Sequence, residues 1–168
     1  MASYAQIILT HGHIDHISAV TELLEAHPAP VYLHAADAAW AFTAVNRYPP
    51  YLRVPLRPDT LRPLREGPAP DDCGLGGRVL HTPGHTPGGV CLQFEEEALL
   101  LTGDTLFQGS VGRTDLPGGD GTVLAESLRK LLALPDALRV LPGHGPDSTL
   151  DAERRRNPFL RELQEGRS

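Results

Sequence analysis

The chain has little of several residue types, and each scarcity argues against a class of protein. Only two of its 168 residues are cysteine, and neither the glycine-rich loop around Cys73 nor the apolar stretch around Cys91 indicates a disulfide. We therefore expect a reducing compartment, the cytoplasm. No run approaches the roughly 18–20 apolar residues of a membrane span. The N-terminus lacks the charged start and apolar core of a signal peptide, so we expect no membrane partner.

Basic residues are also few. The 15 lysines and arginines are outnumbered by 21 acidic residues, which gives a formal net charge of -6. The only basic run, Arg154–Arg156, is flanked by Asp151 and Glu153 and predicts a solvated helix face. With no basic stripe, we expect no nucleic-acid partner. A length of 168 residues with 40% hydrophobic content favours one domain, 1–168, around a sizeable core.

Histidine, in contrast, is concentrated at a few places. Residues 10–16 read THGHIDH, directly after an apolar run. Of the eight histidines, five lie in turns rich in glycine, proline or aspartate: His11, His13, His16, His85 and His144. The other three lie within periodic segments, and we interpret them as structural: His27, His34 and His81.

Three predicted apolar strands lead into metal-type side chains. The strands at 4–9, 98–102 and 138–141 are followed by His11, Asp104 and His144. If the three strands lie side by side, their ends bring these groups to one edge, where layered α/β folds form ligand sites.

Hydrophobic spacing and turn residues predict the remaining elements. Further strands are expected at 31–34, 78–81 and 89–94, and helices at 17–27, 35–47, 122–134 and 151–164. The segment 48–70 holds seven prolines and little periodicity, which predicts a loop.

The chemistry of the polar residues indicates metal binding. Histidine and aspartate ligands without cysteine favour zinc, iron or manganese. His11 and His13 are two apart and face the same side if the backbone is extended. Asp15 and His16 follow in a turn and can face a second point. One ion cannot accept all seven groups, so two ions are the simpler account.

Five motifs in this order resemble those of the metallo-β-lactamase superfamily. The similarity is closest to its glyoxalase-II-like (hydroxyacylglutathione hydrolase-like) hydrolases of the short stand-alone type. The motifs are THGHIDH, HTPGHTPGG at 81–89, TGDTLF at 102–107, GSVGRTD at 109–115 and PGHGP at 142–146. The resemblance implies an α/β (α+β) fold, a four-layer αββα sandwich with the site at one edge of the two sheets.

The resemblance also implies which residues bind metal. His11, His13 and His85 would bind a first divalent ion, and Asp15, His16 and His144 a second. Asp104 would bridge the two. Asp15 and Asp104 are the candidate catalytic residues, since Asp15 could also accept a proton in transit. Zinc is the expected metal, with iron or manganese as alternatives.

The implied activity is hydrolysis of a small-molecule thioester such as S-lactoylglutathione by a hydroxide that bridges the two ions. Asp104 stands where common zinc β-lactamases carry cysteine, which favours the hydrolase branch. Two alternatives stay open: a mononuclear iron persulfide dioxygenase, and a non-catalytic truncated remnant that only binds metal. After His144 only 24 residues follow, too few for the helical region that binds glutathione in classical glyoxalase II.

The start of the chain departs from the family pattern. Relatives usually have several strands before the first histidine motif, but here Met1 lies ten residues before His11. We therefore expect a first sheet that lacks N-terminal strands and an unpaired edge at 4–9, which favours a homodimer or lower stability. Within the GSVGRTD motif, we expect Arg113 and Asp115 to pair and hold the loop.

Overall fold

The structure, a computed structural model, describes residues 6–47, 50–70 and 76–166. Its strands are β1 (Ile7–Ile8), β2 (Val31–His34), β3 (Leu61–Leu64), β4 (Gly67–Pro68), β5 (Arg78–His81), β6 (Val90–Phe94), β7 (Leu99–Gly103), β8 (Leu106–Phe107), β9 (Ser110–Val111), β10 (Arg139–Pro142) and β11 (Ser148–Thr149). Its helices are α1 (Ile14–Ile17), α2 (Val20–Ala26), α3 (Ala35–Ala38), α4 (Gly121–Leu131), α5 (Leu150–Arg156) and α6 (Pro158–Gln164).

Among the described residues, two sheets carry most of the strands. One sheet has the order β1-β2-β3, with both pairs parallel. The other has the order β11-β10-β7-β6-β5-β4, in which only β10 and β7 are parallel. The short strands β8 and β9 form a separate hairpin.

Three hydrophobic clusters arrange these sheets and helices in four layers. On the outer face of the three-stranded sheet, Ile17 and Val20 pack against Val31 and Leu33. Between the sheets lie Leu64, Val79, Val90 and Leu92, with Ile8 and Tyr32 packed against them. On the far face of the six-stranded sheet, α4, α5 and α6 pack against side chains that include Leu80, Cys91 and Leu100. The predicted αββα sandwich is therefore confirmed.

The alternation of side chains along β5 and β6 creates two of these clusters. Neighbours such as Val79 and Leu80 point to opposite faces of the sheet, since the side-chain period of a strand is two. Cys91 is fully buried on the helical side as a free thiol, and burial raises its pKa to about 11. The thiol therefore packs as an inert side chain. Cys73 lies outside the described residues.

Helix α4 follows the amphipathic pattern predicted for 122–134. Leu124, Leu128 and Leu131 recur every three to four residues and are buried. The Asp120 side chain caps the helix by accepting hydrogen bonds from the Thr122 and Val123 backbone N–H groups.

Several boundaries differ from the prediction. The segment 48–70 is not only loop: β3 and β4 lie within it, and β3 pairs with β2 at the edge of its sheet. An edge strand tolerates Pro63 because its missing N–H can face away from the ladder. The predicted helix at 35–47 is helical only over α3.

The two other predicted helices are each divided. The segment 17–27 belongs to α1 and α2, and α1 begins earlier, at Ile14. The segment 151–164 forms α5 and α6, which meet at Asn157, because Pro158 lacks the backbone N–H needed to continue the helix.

No helix in the described ranges is long and apolar enough to cross a membrane.

Candidate metal centre

The candidate ligands come from four connections between elements and from helix α1. His11 and His13 lie between β1 and α1, and His13, the N-cap of α1, has extended backbone angles. The expectation that these two histidines face one side therefore holds. Asp15 and His16, expected in a turn, lie instead on the first turn of α1. The helix places their side chains next to those of the extended segment.

The three remaining candidates follow strands of the six-stranded sheet. His85 lies in the turn between β5 and β6, Asp104 follows β7, and His144 follows β10. The backbone N–H of Gly143 donates to the Gly103 carbonyl at 2.8 Å, which holds the ends of β7 and β10 side by side. The prediction of adjacent strand ends is thus right for these two strands and wrong for β1, which belongs to the other sheet.

The structure brings all seven predicted side chains close together, in overlapping groups. His13 Nδ1 lies 2.9 Å from His85 Nε2, and His16 Nε2 lies 3.0 Å from His144 Nε2. Three groups have ligand atoms within 4.8 Å of one another: His11, His13 and His85; His11, His16 and Asp104; and Asp15, His16 and His144.

Asp104 lies between two histidine clusters, one formed by His11, His13 and His85 and the other by His16 and His144. Its carboxylate oxygens are 3.5 Å from His85 Nε2, 3.4 Å from His16 Nε2 and 3.6 Å from His144 Nε2. Asp15 Oδ2 lies 3.2 Å from His144 Nε2, so Asp15 belongs to the cluster of His16 and His144. Of the two carboxylates, Asp104 contacts both clusters.

The donor set fits metal ions. A tetrahedral ion with bonds of about 2.1 Å holds its ligand atoms about 3.4 Å apart, close to the spacings above. His11 Nε2 and Asp104 Oδ1 are buried without a hydrogen-bond partner. Unpaired buried polar atoms are costly and rare in folded proteins. A cation between these two atoms would satisfy both.

Burial keeps the imidazoles in the form that can bind metal. Burial, followed by neighbouring histidines, holds the pKa of His11 well below its usual value. Burial lowers the pKa of His13 to about 4 and also lowers that of His16. Burial raises the pKa of Asp104. Neutral imidazoles present the lone pairs that metal ligation requires.

The orientation of His85 is fixed from behind by the GRTD loop. His85 Nδ1 lies 2.8 Å from the Arg113 carbonyl oxygen, which can only accept. Nδ1 therefore carries the proton, and Nε2 presents its lone pair to the cluster. The Arg113 side chain donates two hydrogen bonds of 2.7 Å to Asp115, as expected, so this pair stiffens the loop that orients His85.

Helix α4 supports the same turn. Ser127 Oγ donates to the Pro83 carbonyl at 2.7 Å, and Asp120 N donates to the Gly84 carbonyl at 2.8 Å. A Cβ at Gly84 would lie 2.4 Å from the Leu124 backbone, so only glycine permits this approach.

Two buried residues that sequence reasoning missed hold the ligand loops together. Asp37 accepts hydrogen bonds from the backbone N–H of Gly12 and of Gly88 and from the Thr86 hydroxyl, at 2.7–2.8 Å. Asn46 Nδ2 donates to the Gly12 carbonyl at 2.8 Å. The peptide groups on both sides of Gly12, between His11 and His13, are thereby fixed. The one available signal was an acidic residue in the alanine-rich stretch after β2.

The three remaining histidines lie outside these clusters. His34 and His81 stack on each other with ring centroids 4.2 Å apart. His27 follows α2 as its C-cap. Their positions agree with the structural role expected for them.

The cluster opens into a cleft of about 370 Å³. Besides candidate ligands, the cleft is lined by the β8–β9 hairpin through Phe107, Ser110 and Val111. Glu153 and Asn157 hold this hairpin from below: Glu153 accepts from the Gly109 N–H at 2.8 Å and from Asn157 Nδ2 at 2.9 Å. The C-terminal helices thus fix one wall of the cleft.

This fold and donor set define a class of metal-binding α/β proteins, and comparison with known proteins identifies the family. The profile of the Metallo-beta-lactamase superfamily matches residues 5–144. The chain belongs to this superfamily.

Solved structures that are similar to most of the chain include the following two. The crystal structure of TTHA1623 in a di-iron-bound form has a TM-score of 0.82 and a sequence that is 48% identical. The match covers 92% of this chain and 77% of that one. A crystal structure of the BLEG-1 B3 metallo-beta-lactamase is 40% identical, also with a TM-score of 0.82, covering 93% and 77%.

A protein named as a hydrolase is also among the similar sequences. Hydroxyacylglutathione hydrolase GloC of Haemophilus influenzae is 36% identical over 159 residues, which cover 92% of this chain and 74% of the relative. The chain is therefore a member of a superfamily of metal-dependent hydrolases, with a cluster of candidate ligands in the expected place.

Proposed function

We propose that the protein is a binuclear metallohydrolase that cleaves thioesters. The observation that carries the proposal is the position of Asp104, whose carboxylate contacts both histidine clusters while Oδ1 lacks a hydrogen-bond partner. A single carboxylate shared by two groups of ligands suits two ions better than one.

The residues would hold the ions as two sets. His11, His13 and His85 form the more buried set, and Asp15, His16 and His144 form the more exposed set, with Asp104 between them. Members of both sets line the cleft. When bound, divalent ions supply Lewis acidity, which lowers the pKa of water toward about 7 and polarises a carbonyl oxygen. Zinc is the metal we expect, although a similar structure carries two irons.

The chain's own side chains prepare the site for this chemistry. Burial keeps His11 and His13 neutral near pH 7, so no proton has to leave before they bind. Asp15, whose side chain is 35% exposed, lies 3.2 Å from His144 Nε2 at the mouth of the cleft. From there it can take up a proton released during hydrolysis and pass it to solvent.

The thioester as substrate is supported by similarity rather than by geometry. The relative in Haemophilus influenzae is named a hydroxyacylglutathione hydrolase. A second candidate, β-lactam hydrolysis, is favoured by the 40% identity to BLEG-1. The mononuclear persulfide dioxygenase is less favoured, because Asp15, His16 and His144 form a complete second group.

The test combines metal content with turnover. The purified protein is loaded separately with zinc, iron and manganese, its metal is counted by elemental analysis, and hydrolysis of S-lactoylglutathione and nitrocefin is measured along with oxygen uptake. We expect two ions per chain, thioester hydrolysis without oxygen consumption, loss of activity with a chelator and recovery on adding metal. One ion per chain with oxygen uptake would support the dioxygenase, and bound metal without turnover would support the non-catalytic alternative.

A further inference from the structure

A second cavity adjoins the metal cleft. It has a volume of about 450 Å³, and its lining includes His13 and Leu116, which also line the cleft of about 370 Å³. The two spaces therefore meet at the imidazole of a candidate ligand. A molecule whose reacting group lies among the histidines can extend one arm directly into this second cavity, which we call the Trp40 pocket.

The lining of the Trp40 pocket is mostly apolar. Trp40, Val45, Pro87, Leu116 and Pro117 contribute apolar surface. The Trp40 ring lies 5.5 Å from the His13 ring, measured between centroids, so the indole forms the wall nearest to the metal centre.

The polar groups of the pocket are either occupied or peripheral. The Asn46 amide nitrogen already donates to the Gly12 and Ala41 carbonyls. Arg47 lines the pocket as an exposed residue. A site of this kind binds an apolar group, with few polar contacts to fix its orientation.

The cleft and the Trp40 pocket differ in the number of polar side chains in their linings, which indicates the orientation of the substrate. Five candidate metal ligands line the cleft with Ser110 and with Arg113, whose guanidinium is paired with Asp115. Biological thiol carriers are large and bear charged groups, and they are better matched by the open cleft than by the apolar pocket. The apolar arm of a thioester is its acyl chain. This difference in lining assigns the acyl chain to the Trp40 pocket.

We infer that the Trp40 pocket is the acyl-binding site and that it selects thioesters of apolar acids, such as hexanoyl or phenylacetyl groups, over small polar acyl groups such as lactoyl. The inference rests on the proposed thioester hydrolysis. It deepens that proposal by naming the substrate class.

Trp40 provides a direct readout of binding, because it is the only tryptophan in the chain. Hexanoate, phenylacetate and lactate, which are product acids of the corresponding thioesters, are titrated into the metal-loaded protein while its emission is recorded. We expect hexanoate and phenylacetate to change the emission saturably and lactate to leave it unchanged. The same protein is then assayed with acetyl, lactoyl and hexanoyl thioesters of one thiol, with the hexanoyl compound giving the highest kcat/KM.

A pair of variants makes the test specific to the pocket. Val45→Asp places a charge on the pocket lining at a residue that is 78% exposed, so the fold should tolerate it. Ala44→Asp places the same charge one residue away, at an exposed position outside the lining, and controls for repulsion of the anionic probes. We expect V45D to weaken hexanoate binding at least about tenfold and A44D to leave it nearly unchanged.

The outcomes separate this inference from the proposed function. Equal kcat/KM for the acyl thioesters, an equal response to lactate and hexanoate, or equal affinities in V45D and A44D would overturn the acyl-site inference alone. Absence of turnover on every thioester would overturn the proposed function and the acyl assignment together.

Discussion

The carboxylate of Asp37 accepts a hydrogen bond from the backbone N–H of Gly12 at 2.8 Å, across 25 positions of sequence. The same carboxylate accepts from Gly88 at 2.7 Å, across 51 positions. One buried side chain thereby joins the loop of His11 and His13 to the loop that follows His85. This contact therefore helps to hold His11, His13 and His85 in place relative to one another.

Asp37→Asn tests this role. An asparagine has one acceptor oxygen and one NH₂ group, so its NH₂ would face one of the three donors that Asp37 now accepts from. We expect metal affinity to fall about 10–100-fold, as for other residues that orient ligands from behind. Competition with a chromogenic chelator measures the affinity. Asp59→Asn makes the same change at an exposed residue and serves as the control; equal affinities in D37N and D59N would refute the role.

Glu153 and Asn157 are expected to support the cleft wall. Glu153→Gln turns one acceptor oxygen into a donor beside the Gly109 N–H, the Ser148 hydroxyl and Asn157 Nδ2. We expect a loss of about 1–3 kcal/mol of unfolding free energy, which lowers the Tm by about 2–4 °C for each kcal/mol in a chain of this size. Thermal denaturation measures it. Glu162→Gln, at an exposed position of α6, is the matched control, and a Tm as high in E153Q as in E162Q would contradict the expectation.

Asp104→Asn tests the shared carboxylate. The amide is a much weaker metal ligand than a carboxylate, and its NH₂ group would face His16, His85 or His144. We expect fewer than two ions per chain by elemental analysis and a fall in kcat of at least about 100-fold. His27→Gln changes a histidine outside the clusters and should retain both ions. Two tightly held ions in D104N would remove the basis of the binuclear proposal.

Acid should destabilise the metal-free protein. The pKa of His13 is lowered to about 4 in the folded state, and the pKa values of His11 and His16 are lowered as well. Between about pH 4 and pH 6.5, the ordinary pKa of histidine, the unfolded chain therefore binds more protons than the folded chain. The free energy of unfolding rises with pH across this window and falls as the pH is lowered. The raised pKa of Asp104 has the opposite effect on the pH dependence of stability, but only one group contributes it, against three histidines.

Urea unfolding of the metal-free protein at pH 7 and pH 5 measures this effect. We expect a lower midpoint at pH 5. The variant His13→Gln should show a smaller loss between the two pH values than the unchanged chain, because one of the neutral histidines is absent. A midpoint that is equal or higher at pH 5 would contradict the assignment of buried neutral imidazoles.

The amino-acid sequence by itself determined the chemistry of the site. Residue types and spacings within single segments, such as His11 with His13, fix which groups can bind a metal and which backbone shape presents them. Hydrophobic runs likewise predicted β5, β6, β7 and β10 within one or two residues of their observed ends. These features depend on residues that are close in sequence, so the local pattern of side chains is enough to predict them.

Only the tertiary structure decided how the segments meet. Packing between distant segments places β1 in a different sheet from β7 and pairs the proline-containing β3 with β2. The same packing brings Asp37 and Asn46 to the ligand loops. An acidic residue in an alanine-rich stretch is visible in the sequence, but the partners of Asp37 are not, because its three donors lie 25 to 51 positions away. A buried carboxylate is stable only where the fold brings donors to it, and that meeting is a property of the packed chain.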